Sequence, residues 1–136
     1  MRAGCKRALA LIASLAAIAG CNDAEDQQCM EGFCLPADVV IVGRERPADF
    51  TLYQLAWRGE QFGLYVGDAP SFAAASAQRF AVPLDRNAQA VAGGGSAEVV
   101  MRLGEASPRF LHLGGRCDEI QTCNLGELAQ AITRAR

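Results

Sequence analysis

Residues 8–20 form an apolar run in which Ser14 is the only polar side chain, and Arg2, Lys6 and Arg7 stand before it. Its 13 residues are too few to cross ~30 Å of hydrocarbon, which takes about 20. A basic start followed by a short apolar stretch is instead the anatomy of an export signal. Residues 1–20 are therefore expected to be removed, and the rest of the chain must fold outside the cytoplasm, where thiols pair.

The run ends in Ile18-Ala19-Gly20-Cys21, which resembles the lipobox of bacterial lipoprotein precursors. The resemblance covers residues 1–21 only and implies cleavage before Cys21, diacylation of its sulfur and a further acyl chain such as palmitate on its amine. Several acyl chains, at ~0.8 kcal/mol per buried methylene, hold a protein where one lets it leave. Position 22 is Asn; by resemblance to enterobacterial lipoproteins, in which Asp there favours the inner membrane, this implies the outer membrane, facing the periplasm. Residues 22–28 carry Asp23, Glu25 and Asp26 and nothing to bury. The expected organisation is thus a signal at 1–20, a lipidated cysteine with an acidic tether at 21–28, and a single globular domain at 29–136.

With Arg2, Lys6 and Arg7 gone, ten basic residues face 15 acidic ones, a net charge of −5. That argues against nucleic acid as a partner, since such binders neutralise phosphates with a basic face. Cys29, Cys34, Cys117 and Cys123 are the cysteines that remain, an even number that reads as a disulfide framework with three possible connectivities. Cys29 and Cys34 enclose a glycine and can curl together. Cys117 and Cys123 cannot bridge along one helix, because six residues rise ~9 Å, but they can as a loop. Local pairing is favoured; cross-pairing of the two loops is the alternative and would close a larger ring. The spacings do not match the tight pairs of zinc ribbons, and neither a metal nor a cofactor is expected.

The pattern beyond Cys34 points to α+β: a small antiparallel sheet built from hairpins, with a C-terminal helix on one face. Residues 39–42 are a β-branched run expected to form a buried strand. Residues 51–57 and 62–66 alternate around Arg58-Gly59-Glu60 as a first hairpin, and 97–103 with 109–113 form a second. A short helix over 71–79, an edge strand over 80–84 and a mobile segment over 87–96 are further expectations. Asn124 is the expected N-cap of a last helix, with Glu127 at its third position and Leu125, Leu128, Ala129 and Ile132 at i, i+3, i+4 and i+7.

Chemistry is sparse. His112 is the only histidine, and a catalytic role would need a placed partner. Ser107 lies in no nucleophile elbow, Gly93-Gly94-Gly95 lacks the end of a phosphate loop, and no catalytic residue is assigned. Tyr53, Trp57 and Tyr65 are candidates for an exposed aromatic surface flanked by Arg44, Arg46 and Arg58, with burial of Trp57 in the core as the competing reading. Asp118 and Glu119, held between two cysteines, are candidates for contact with a ligand. The chain is expected to be a membrane-anchored, noncatalytic binding or inhibitor-like module for an envelope protein or cell-wall ligand. The alternatives are an envelope enzyme using His112 with a carboxylate, and a purely structural accessory.

Overall fold

A computed structural model describes residues 27–136; Cys21, its lipidation and the signal at 1–20 lie outside the described residues. Along the chain run β1 (Gln28–Met30), β2 (Phe33–Leu35), β3 (Val40–Glu45), β4 (Thr51–Trp57), β5 (Glu60–Gly67), β6 (Gln78–Arg79), β7 (Gln89–Gly93), β8 (Ser96–Arg102), β9 (Phe110–Arg116), α1 (Asn124–Ala131) and β10 (Thr133–Arg134). They build an antiparallel sheet of seven strands, ordered β3-β4-β5-β9-β8-β7-β6, and a smaller one ordered β1-β2-β10. The fold is α+β with antiparallel sheets and, among the described residues, one C-terminal helix and two disulfides.

Alternation decides which face of the large sheet is inside. Tyr53, Leu64, Leu113 and Val99 are successive partners across β4, β5, β9 and β8, and Leu55, Phe62, Gly115 and Ala97 form the neighbouring row. Apart from Gly115, which has no side chain, every residue of both rows is buried. Helix α1 lays Leu125, Leu128 and Ala129 against β8 and β9, with Ile132 just beyond its end, and all four are buried as the i, i+3, i+4, i+7 stripe requires. The β1–β2 hairpin reaches the same face through the buried Phe33, which meets the Tyr53 ring edge-on at 6.4 Å.

Both bridges are local. Cys29 and Cys34 are direct partners across β1 and β2, and Cys117 joins Cys123 across the loop between β9 and α1. The cross-paired alternative does not occur.

Several local expectations are corrected. The run at 39–42 is not a buried strand: only Val39 is buried, while Val40 and Val42 are 56% and 53% exposed on the edge strand β3. A bulge between Ile41 and Gly43 leaves Val42 without a partner on β4. The helix over 71–79 is reduced to one 3-10 turn at Ala74–Ser76 that buries nothing, because an alanine-rich stretch without an apolar stripe has no surface to dock. Residues 80–84 are irregular, although Phe80, Val82 and Leu84 are buried; the edge strand is β6 instead.

The glycine-rich stretch is a tight turn rather than a mobile loop. Gly94 and Gly95, at φ +66° and +85°, form the two-residue loop of the β7–β8 hairpin, and positive φ at both central residues is what a type I′ turn demands. The cap of α1 is Cys123, whose Sγ accepts the Gly126 N–H at 3.4 Å, and Asn124 is the first helical residue.

Candidate functional site

At the end of the large sheet where the β4–β5 and β7–β8 hairpins turn, a cleft of about 370 Å³ opens against the bridged loop. Glu60 comes from the start of β5, Gly95 from the β7–β8 turn, Arg116 from the last position of β9, Asp118 and Thr122 from the loop, and Asn124 from the first turn of α1. Residues distant in sequence meet here because β5, β9 and β8 are neighbours and the chain leaves β9 straight into the loop.

Local chemistry makes the walls rigid. The Cys117 N–H donates to Gly95 O at 3.0 Å, and the N–H groups of Thr122 and Cys123 donate to Glu119 O at 3.0 and 3.1 Å. Ile120, 2% exposed, plugs the loop into the core. Asn124 Nδ2 donates to Glu60 Oε2 at 3.1 Å, which fixes that carboxylate on the cleft floor. Asp118 Oδ1 lies 4.0 Å from where a β-carbon on Gly95 would stand, an ordinary contact, and it is the φ of +85° that keeps a glycine at this turn.

Arg116 and Asp118 are both exposed, and among the described residues neither enters an ion pair. The cleft therefore offers a free guanidinium and a free carboxylate on a preformed polar wall. It can orient a group that both donates and accepts hydrogen bonds. Both cleft sulfurs are tied in a bridge, and the Thr122 hydroxyl donates to Glu119 O at 3.4 Å.

Of the residues singled out from the sequence, Asp118 lines this cleft, and Glu119 shapes it through its carbonyl while its side chain points to solvent. The aromatic surface does not exist. Tyr53 and Trp57 are 3% and 5% exposed, because β4 places them on the inner face with Leu55. Tyr65 lies on the opposite face, half-buried, its ring 5.2 Å from Phe50 and its hydroxyl accepting the Ala69 N–H at 2.8 Å.

The buried rings keep their polar atoms satisfied: Trp57 Nε1 donates to Asp38 at 3.0 Å and the Tyr53 hydroxyl donates to Glu31. The flanking arginines cover the core instead of framing a surface. Arg58 stacks over Trp57 at 3.9 Å and pairs with Glu127, Arg44 lies 5.9 Å over Tyr53, and Arg46 donates to Thr51 at 2.8 Å.

His112 Nε2 and Glu98 Oε1 are hydrogen-bonded at 2.6 Å on the outer face. The ring does not line the cleft. Phe72 meets it edge-on at 5.7 Å, leaving the side chain 14% exposed. The Ser107 hydroxyl donates to Asp68 at 2.8 Å and serves a turn brace.

Glu60, Arg116, Thr122 and Asn124 carry no sequence signal as site residues. Arg116 and Thr122 flank cysteines and could have been found by asking what a closed 117–123 loop exposes. Glu60 needed the β5–β9 pairing. Among the described residues no helix is long and apolar enough to cross a membrane, and no group of three or more His, Cys, Asp or Glu gathers to hold a metal ion. No protein-family model, no curated protein and no solved structure matches the chain.

Proposed function

We propose that the chain is the precursor of an envelope lipoprotein, held through acyl chains on Cys21 to the outer membrane and facing the periplasm. Its domain is a noncatalytic, inhibitor-like binding module that takes a polar group of an envelope protein or cell-wall ligand into the cleft beside the Cys117–Cys123 loop. The signal anatomy and the lipobox support the anchor. The observation that carries the binding role is the unpaired Arg116 beside Asp118 on a wall fixed by a bridge, two tight turns and a buried Ile120. A surface that is rigid before it binds loses little entropy on binding.

The test compares wild-type lipidated protein with an Arg116→Ala/Asp118→Ala variant in crosslinking pull-downs from envelope extract. Both exposed side chains can be removed without touching the core, so urea midpoints should agree while at least one retained component disappears. Identical retained sets would remove the cleft as the binding site.

A second reading, an envelope enzyme using His112 with Glu98, is favoured by their 2.6 Å contact. It requires substrate to reach a ring that Phe72 covers. His112→Ala leaving every envelope-degrading activity of the protein unchanged would end it.

A further inference from the structure

Three large hydrophobic side chains are exposed among the described residues, and they share one sheet edge: Val40 at 56%, Val42 at 53% and Leu52 at 37%. Val40 and Val42 lie on β3 and Leu52 on its neighbour β4. That edge adjoins the point at which the N-terminal segment joins the fold. The Gln28 side-chain amide donates to Val39 O at 2.6 Å and to Pro36 O at 3.1 Å, which pins the first residue of β1 beside the start of β3.

Gln28 lies seven residue steps beyond Cys21, and at full extension these reach about 25 Å. A domain of this size is roughly 34 Å across, from a radius of gyration near 13 Å. A lipid on Cys21 would therefore keep the part of the domain opposite Gln28 from resting on the bilayer and favour the side around Gln28, which is the side with the exposed valines.

We propose that the β3 edge, with Val40, Val42 and Leu52, is the surface on which the domain rests at the bilayer interface; this depends on the reading of Cys21 as the lipidated residue. Three modest apolar side chains would not recruit a free domain. A short tether changes this, because it raises the effective concentration of the surface at the membrane to the millimolar range.

Charges on the same edge set the depth. Arg44 and Arg46 are engaged with Tyr53 and Thr51, whereas the exposed Asp38, Glu45 and Asp49 beside the valines keep the strand at the interface and out of the hydrocarbon. The bulge between Ile41 and Gly43 interrupts the ladder that an added strand would need, which favours a bilayer over a second copy of the chain.

The experiment uses lipidated protein in vesicles of phosphatidylethanolamine and phosphatidylglycerol, with an environment-sensitive fluorophore on Val42→Cys, on Leu52→Cys or on Glu105→Cys. Glu105, whose side chain is 92% exposed, lies in the β8–β9 connection and serves as reference. Positions 42 and 52 are expected to shift to the blue and to be quenched by spin-labelled lipid, with position 105 unaffected. Equal, water-like emission at all positions, in protein whose intact mass carries the acyl chains, overturns the proposal. Energy transfer between labels at 42 that rises with protein density, with no quenching by lipid, also overturns it and gives the edge to a second copy. A mass without acyl chains defeats the anchor reading first, and this one with it.

Discussion

Gly126→Ala should be among the most damaging single-methyl changes in the chain. In most helices the exchange gains ~1 kcal/mol of propensity. Here a β-carbon at 126 would stand 1.9 Å from Ile120 O and 3.1 Å from Ile120 C. Separating it from that oxygen to a normal ~3.2 Å contact requires a shift of about 1.3 Å. Ile120 cannot move away freely, because it is 2% exposed and its loop is closed by the Cys117–Cys123 bridge. Either the loop lifts from the core or α1 tilts and unseats Leu125 and Leu128. Overpacking of this kind costs about 1–3 kcal/mol, sometimes more.

With the propensity gain subtracted from the upper end, the net loss is about 2 kcal/mol, or roughly 8 °C in Tm for about 110 residues. Urea unfolding reports it conveniently through Trp57, the only tryptophan and 5% exposed. The midpoint should fall by about 1 M. Gly63→Ala is the control: nothing lies within 4 Å of its would-be β-carbon, and its effect should stay within about 0.5 kcal/mol. An unchanged midpoint for Gly126→Ala, or equal losses for the two variants, would refute the tight seating of α1 under the loop.

Burial first, then the hydrogen bond and charge of Glu31, raise the Tyr53 phenol above its ordinary 10.0. A raised folded value means that this stability is present below the unfolded value near 10 and is lost as pH rises through the folded one. Tyr53→Phe should therefore cost about 1.5 kcal/mol at pH 7 and flatten the alkaline decline of the urea midpoint. Asp68 runs the other way: the Ser107 hydroxyl, then the Arg109 N–H groups, hold its carboxyl below the ordinary 3.8. That contribution is present above the unfolded value and lost as pH falls through the folded one. A carboxyl NMR titration should place Asp68 below 3.8, and Asp68→Asn should remove this part of the acid sensitivity. Cys117→Ala/Cys123→Ala opens a loop of seven residues and should cost about 2 kcal/mol on the chain-entropy model, read by the same urea titration under non-reducing conditions.

What the sequence shows plainly is burial on one face. Thr51, Tyr53, Leu55 and Trp57 alternate with exposed or half-exposed neighbours, and so do Phe62, Leu64 and Val66, because the pleat sends successive side chains to opposite faces. The helix stripe at 125–132 is legible for the same reason, at a different period. Pairing between strands distant in sequence is not written this way. Nothing local says that β5 lies beside β9, and this contact brings Glu60 to Arg116.

The edges mislead most. Residues 39–42 carry the composition of a buried strand, but an edge position and a bulge leave two of the valines in water. Gly93-Gly94-Gly95 looks slack, yet at a two-residue turn glycine is what makes the hairpin tight. Of the two readings of the first hairpin, burial of Trp57 is the one that alternation supports: Leu55 shares its face with Tyr53 and Trp57, and Tyr65 lies on the other.

Where a ligand could be accommodated follows from which polar groups are already engaged. Among the described residues every buried side-chain nitrogen and oxygen has a partner, and the arginines near the first hairpin are stacked on rings or paired. A ligand there would have to break contacts that hold the fold together, and each disrupted bond to a charged group costs about 1.5–3 kcal/mol. At the cleft a ligand meets Arg116 and Asp118 with only water to displace. The bridge, the Gly94-Gly95 turn and Ile120 have already fixed the geometry, so the ordering cost of ~0.5–1.5 kcal/mol per immobilised side chain falls on few groups. Binding at the bridged loop is therefore compatible with an intact core, whereas binding at the Trp57 hairpin is not.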